Sequence, residues 1–479
     1  MSVMLIANTV IIRKSVLPIA SRLQKGGYNS QKSFCLSNTG HNVMVIFLDR
    51  AIGPLIPYIM NEKPELKDKF DGFTYYSNVT SFAHKTNMAS PALFGGYEYT
   101  PVELNRRSDM SLEDKHNESL KVMPYIFDDN GYNVTVCQPS YAGYEWIPDL
   151  SIFDERPEIV TFNTLGMFSE IYQEQEIRSN RRNFFFYGLM KISPYIAQKY
   201  IYAGGGYNHM FSREEIETVQ VKDGCHKARG MNAQFLKNYD VLKNLERLTR
   251  IEKDEKAGFV LFCNETPHEP TILQEPEYLP NDEVDNEAYD KEHASRFEVD
   301  GKVLRMDRDV HYSHYDVNMA SYLQLARYFD YLRENGVYDN TRIILVSDHG
   351  HADAQKEELL VKLQNGEIYD MEGFACLLMV KDFDSHGFMT SDEFMTNGDV
   401  PTLAFSGLID DPVNPSTGKI INNDEKNQHD VYILNSSLWD VTINNGNQFL
   451  PDTYLAVHDD IWNSDNWRLV AENAVFTGE

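Results

Sequence analysis

Three apolar runs in this chain end in residues that bind cations. NVMVIFLDR (42–50) closes on Asp49, FVLFCNETPHEP (259–270) runs out into Glu265 and His268, and RIILVSDHG (342–350) ends in Asp348 and His349. Carboxylate oxygens together with imidazole nitrogens suit zinc or manganese better than a soft, thiophilic metal. Each run is β-branched and apolar on both faces, the composition of a strand buried in a parallel sheet. In such sheets ligands gather at the carboxyl ends of the strands. The pattern predicts one crevice supplied with Asp, His and Asp-His by three strand ends, and predicts an enzyme.

A cation in that crevice needs a nucleophile beside it. SFAHKTNMASPALFGG (81–96) offers Thr86, which follows Lys85 and opens a helix-like segment. A hydroxyl coordinated by a cation has its pKa lowered and becomes a usable nucleophile. Lys85 and the helix N-terminus would favour an anionic substrate. Thr86 also reads as a plain helix N-cap, a position Thr prefers. His311 and His314 in HYSHYD and His351 directly after SDHG are, with Lys85, further candidate substrate contacts. Each of these histidines also reads as an ordinary surface or loop residue.

Asp49 in VIFLDR, Thr86 in HKTNMASPALFGG, His268 in NETPHEP and Asp348-His349 in VSDHG stand in the order found in the alkaline-phosphatase superfamily. Over residues 40–410 the chain resembles the sulfatase-like branch, which includes lipoteichoic-acid synthases and lipid phosphoethanolamine transferases. The resemblance implies one divalent metal, manganese or zinc ahead of calcium or magnesium, held by Asp49, Thr86, Asp348 and His349. It makes Thr86 the nucleophile and His268 the substrate-side acid or anchor. The implied reaction moves a phospholipid-derived head group, phosphoglycerol or phosphoethanolamine, through a phospho-threonine onto a glycan or lipid acceptor. Alternatives are a sulfuric- or phosphoric-ester hydrolase of the same fold, or a non-catalytic member that binds glycans or lipids. The implied location is the extracytoplasmic face of the cell membrane, in contact with its surface. Asp399 in TNGDVPTLAF resembles a structural Asp that caps a late helix in these folds.

Two departures bear on the reaction. Asp49 stands where the lipid transferases usually carry the longer Glu. The C/S-x-P-x-R element of true sulfatases does not occur: Cys137-Gln-Pro-Ser-Tyr lacks the Arg and lies far past the nucleophile position. That favours phosphoryl transfer through Thr86 over sulfate-ester chemistry.

The elements that must position these residues are partly readable. YDVNMASYLQLARYFDYLRENG puts Met319, Leu323, Ala326 and Phe329 on one helical stripe, and Gly336 ends the helix before the strand to Asp348. GYNVTVCQ (131–138) and FACLLMVKDF (374–383) read as further strands, TNGDVPTLAFSGL as an Asp-capped helix start, and residues 271–310 as an acidic loop. The expected fold class is α/β, a mostly parallel central sheet flanked by helices, with a small β-rich C-terminal subdomain. The expected boundaries are a polar lead-in over 1–40, membrane-proximal in the sulfatase-like reading, a catalytic domain over 41–425 with a helical insertion over 164–257, and the C-terminal subdomain over 426–479 around Trp439, Trp462 and Trp467.

Composition narrows the classes further. A net charge of −28 repels a nucleic-acid backbone over most of the surface. Hydrophobic content of 42% is that of a globular chain. The five cysteines are scattered with no CxxC pair, against a disulfide framework or zinc ribbon. Cys263 and Cys376 lie in apolar runs and read as buried and inert. The start, MSVMLIANTVIIRKS, reads as a docking element or as the tail of a membrane segment. RRNFFFYGLMKISPYIAQKYIYAGGGYN (181–208), with basic flanks and a break at Pro194, reads either as an amphipathic surface that lies on a membrane or as a helix packed on the core.

Overall fold

The computed structural model describes residues 33–202, 220–222, 226–230, 232–253 and 256–478; the N-terminal apolar run lies outside them. The strands that matter here are β1 (Phe34–Ser37), β2 (Asn42–Leu48), β3 (Phe73–Tyr76), β4 (Asn133–Cys137), β5 (Val160–Phe162), β6 (Thr249–Glu252), β7 (Gly258–Asn264) and β8 (Thr341–Val346). They are followed by β9 (Leu378–Lys381), β10 (Met389–Ser391), β11 (Val431–Asn435), β12 (Asp452–Val457) and β13 (Arg468–Ala474). The helices are α1 (Thr86–Gly95), α2 (Leu112–Asp129), α3 (Glu170–Ile192), α4 (Tyr195–Tyr202), α5 (Ala233–Lys243) and α6 (Asp309–Glu334).

Eight strands form one sheet in the order β10-β3-β9-β8-β2-β7-β4-β5. The run β8-β2-β7-β4-β5 is parallel, and β9 joins β8 antiparallel. The three strands singled out by their chemistry are therefore neighbours, with β2 in the centre. Their apolar character on both faces has a direct cause. Met44, Ile46 and Leu48 of β2 pack into one core with α5 and α6, while Val43, Val45 and Phe47 pack into the other with α1 and α2. A strand covered by helices on both sides has no polar face to show. Gly258 opens β7 because a Cβ there would stand 2.0 Å from the Cys35 carbonyl oxygen.

β11, β12 and β13 form a separate antiparallel sheet near the C-terminus. A third apolar cluster, with Val431, Ile433, Leu455 and Trp467 against Phe82, Leu359 and Phe374, holds it to the main body.

Several expectations need correction. Residues 33–40 are no polar lead-in: β1 is buried and pairs in parallel with β6. The stretch 271–310 carries short elements, including a helix over Glu287–Glu292. Asp399 does not cap the helix Val400–Phe405 through its side chain. It completes a capping box with Thr396, whose N–H donates to it at 2.8 Å, and accepts from Lys426 (2.9 Å) and Tyr97 (3.0 Å), a structural role. Cys263 and Cys376, by contrast, are buried and free as expected. No helix among the described residues is long and apolar enough to cross a membrane.

Candidate active site

Strand register brings the acidic residues level. Leu48 of β2 pairs with Asn264 of β7, and Phe47 with Val346 of β8. Continuing each strand by one or two residues puts Asp49, Glu265 and Asp348 side by side at the carboxyl edge. Beyond Asp49 the chain turns sharply, with Arg50 in the left-handed region (φ 59°). That turn aims the Arg50 N–H at Asp348 Oδ1, 3.1 Å away. The His349 N–H donates to the same oxygen at 2.9 Å, leaving Asp348 Oδ2 buried without a donor.

Thr86 is the first residue of α1, behind Lys85, whose extended backbone precedes the helix. Its Oγ1 lies 3.3 and 3.5 Å from the two Asp49 oxygens and 3.5 Å from His349 Nε2. His349 Nδ1 is 2.6 Å from the Gly350 carbonyl oxygen. A carbonyl only accepts, so the proton sits on Nδ1 and the Nε2 lone pair faces Thr86. Gly350 is required by close approach: a Cβ would stand 2.2 Å from the Glu372 carbonyl oxygen and 2.6 Å from that of Ala375. Asn397 donates to the Asp348 carbonyl at 2.9 Å and Asn318 accepts from the Ile52 N–H at 3.1 Å, bracing both strand ends.

The electrostatics follow from burial. Burial raises the Asp49 pKa, helped by the adjacent Asp348 carboxylate, to about 8, and burial raises that of Asp348 too. Burial drives His349 well below its ordinary range. For His268 burial opposes the charged form, yet Asp49 and Glu269 together lift its pKa. Burial and Arg50 lower Lys85. Two buried carboxylates that repel each other, one with an orphaned oxygen, beside a neutral imidazole are the donor set of a hard or borderline dication. One ligand atom from each of Asp49, Asp348 and His349 lies within 4.8 Å of the others. The residues fit a metal.

Asp49, Thr86 and His268 open into a cavity of about 300 Å³. Its other walls include Gln138, Ser140, Tyr141, Trp146, Tyr172, Lys237, Glu265 and Glu269, which sequence reasoning left unassigned apart from Glu265. The Lys237–Glu265 ion pair (3.6 Å) ties α5 to the β7 end. The signal missing from the sequence is proximity, since these residues come from four separate segments. His311 and His314 do not precede the helix but lie in the first turns of α6, and neither they nor His351 line the cavity. Lys85 is half-buried at the start of α1 and is not among the cavity walls.

Residues 41–366, well over half of the chain, match the Sulfatase family profile. The chain belongs to the Sulfatase family. It is a sulfatase-like member of the alkaline-phosphatase superfamily, an enzyme from a family that binds a divalent metal. No curated protein matches this sulfatase-family chain. Among solved structures it is similar to the lipoteichoic acid synthase LtaP from Listeria monocytogenes, with 11% identity and TM-score 0.39, over 88% of this chain and 83% of that one. It is also similar to a phosphonate monoester hydrolase from Silicibacter pomeroyi, with 12% identity and TM-score 0.43, over 88% and 87%. A third is the lipooligosaccharide phosphoethanolamine transferase EptA from Neisseria meningitidis, with 9% identity and TM-score 0.34, over 84% and 65%.

Proposed function

We propose that this chain is a phosphotransferase that moves a phospholipid-derived head group, phosphoglycerol or phosphoethanolamine, onto a glycan or lipid hydroxyl by way of a phospho-threonine at Thr86. The observation that carries the reading is the position of Thr86 Oγ1 at the N-terminus of α1, between Asp49 and His349 and facing the cavity. Asp49, Asp348, His349 and Thr86 would hold one divalent ion, zinc or manganese. When bound, that ion supplies positive charge that lowers the pKa of the Thr86 hydroxyl and offsets negative charge on the phosphoryl oxygens.

Thr86 Oγ1 attacks phosphorus, forming a new O–P bond while its proton leaves to solvent. The P–O bond to the departing alcohol breaks, and His268, on the cavity wall, donates the proton that alcohol needs. In the second half the acceptor hydroxyl gives its proton back to His268 and forms the new O–P bond, the Thr86 O–P bond breaks, and Thr86 Oγ1 takes a proton back from solvent. The N–H groups of the first turn of α1 and Lys85 favour the phosphate charge.

A lipid donor is supported by what surrounds the cavity. Trp146 and Ile147 on its wall are 65% and 61% exposed, and Tyr172 on its wall begins α3. α3 and α4 then expose Phe184, Phe185, Ile192, Tyr195, Ile196 and Tyr200. Residues 177–202 hold five cationic side chains and no carboxylate, in a chain of net charge −28. An exposed aromatic, basic surface suits an anionic membrane surface, and with it action at the extracytoplasmic face of the membrane. The test is turnover of mixed phospholipids with an acceptor glycan. Thr86→Ala is expected to retain bound metal and lose at least roughly 10³-fold in rate; near-wild-type turnover in that variant contradicts the mechanism.

A further inference from the structure

His314, His351 and Asp353 converge on a second point, away from the cavity walls. His314 lies in the first turns of α6, while His351 and Asp353 lie on the loop that follows β8. One ligand atom from each lies within 4.8 Å of the other two. His314 and Asp353 are buried and His351 is half-buried, so the cluster has one side open to solvent.

The polar atoms here lie close together without completing a hydrogen-bond network. His351 Nδ1 stands 2.7 Å from Asp353 Oδ2, yet neither atom has the alignment of a hydrogen bond with any partner. His314 Nδ1 is likewise buried without a partner, and its Nε2 is 3.8 Å from Asp353 Oδ2. The two imidazole centroids are 4.3 Å apart and the rings are tilted by 35°. Buried polar groups are as a rule satisfied, and an orphaned atom on each of these three side chains calls for a further partner.

The backbone that carries these ligands is fixed. The Asp353 carbonyl accepts from His311 Nε2 at 3.0 Å and from Arg308. The next two N–H groups donate to Asp370 and Glu372, each at 2.7 Å. His311, which the sequence suggested as a substrate contact, therefore acts on the ligand loop, the kind of outer support that metal sites use.

We propose that His314, His351 and Asp353 bind a second divalent cation, zinc by the chemistry of two imidazoles and a carboxylate. Three protein ligands leave a tetrahedral ion one position for water or an anionic oxygen, the arrangement of reactive rather than purely structural zinc. The site shares no ligand with Asp49, Asp348 and His349, so it stands or falls separately from the reading of Thr86.

The test is zinc counting by native mass spectrometry on the metal-stripped full chain titrated with zinc chloride, with circular dichroism as the check on folding. The wild type is expected to take up two ions at stoichiometric zinc. His351→Ala, a change at a half-buried loop position, and Asp353→Asn should each lose one. Asp49→Asn should lose the other ion and keep this one. Cobalt gives a second readout: the visible absorption that survives in Asp49→Asn should vanish when His351→Ala is added. One ion in the wild type, or an unchanged count in His351→Ala, overturns the second site.

Discussion

Thr86 owes its chemical position to neighbours that are far away in sequence: Asp49 on one side, His349 on the other, and the start of α1 beneath. The residue that sets this geometry without touching a ligand is Gly350. A methyl group there meets two carbonyl oxygens of residues 372 and 375, so Gly350→Ala must push back the turn bearing Asp348 and His349. We expect that variant to fold with a lower Tm and to bind zinc at least about tenfold more weakly, on the scale seen when metal-supporting residues are changed. Wild-type zinc affinity in it would show that the turn tolerates the shift. Asp49, Thr86, His268, Asp348 and His349 were legible because each lies at or just beyond a strand end or helix start that its own apolar run announces. Gln138, Tyr141, Trp146 and Lys237 were not, because nothing in their local sequence tells which other segment they will face. For His314 and His351 the sequence suggested substrate contacts; it could not show that α6 begins at Asp309 and lays His314 against the 351–353 loop.

At the scale of elements, β2, β7 and β8 could be read as buried parallel strands because both faces of each carry apolar side chains. Their adjacency depends on pairing that only the register reveals. The helix of α6 was legible from its stripe, whereas β1 was hidden in a polar stretch because four residues carry too little periodicity. The segment over 181–202 left open a choice between a core-packed helix and an exposed surface; its aromatic residues are exposed in α3 and α4. That exposure yields a prediction for the element as a whole. Replacing Phe184, Phe185 and Ile196 together with Ser should reduce binding to vesicles of anionic phospholipid by at least tenfold, given about 0.8 kcal/mol for each buried CH₂ lost. Turnover of a short-chain soluble donor should stay within about twofold, since none of the three lines the cavity. Equal vesicle binding by the triple variant would remove α3 and α4 from the lipid-facing surface.

For the molecule as a whole, acid stability is set in part by histidines buried without charge. His116 is fully buried, and burial pushes its pKa down to about 4 against the opposing hydrogen bond to the Ser140 carbonyl (2.9 Å). In the unfolded chain it titrates near 6.5, so between those values the unfolded state binds the extra proton. Its contribution is complete above about pH 6.5 and is lost as pH falls towards 4, by roughly 3 kcal/mol. Denaturant titrations at pH 7 and 4.5 should show a smaller acid loss in His116→Gln than in the wild type, and equal losses would contradict this assignment. The net charge of −28 conceals the cationic stretch over 177–202, because a total cannot display how charge is distributed. The central claim, a covalent phospho-enzyme, is also a property of the intact chain. Brief incubation with mixed phospholipids and zinc or manganese, then intact-mass measurement and peptide mapping, should reveal a phosphoglycerol or phosphoethanolamine adduct on Thr86 that disappears when acceptor is added. An unmodified Thr86 in metal-loaded protein that turns over the same lipids would contradict it.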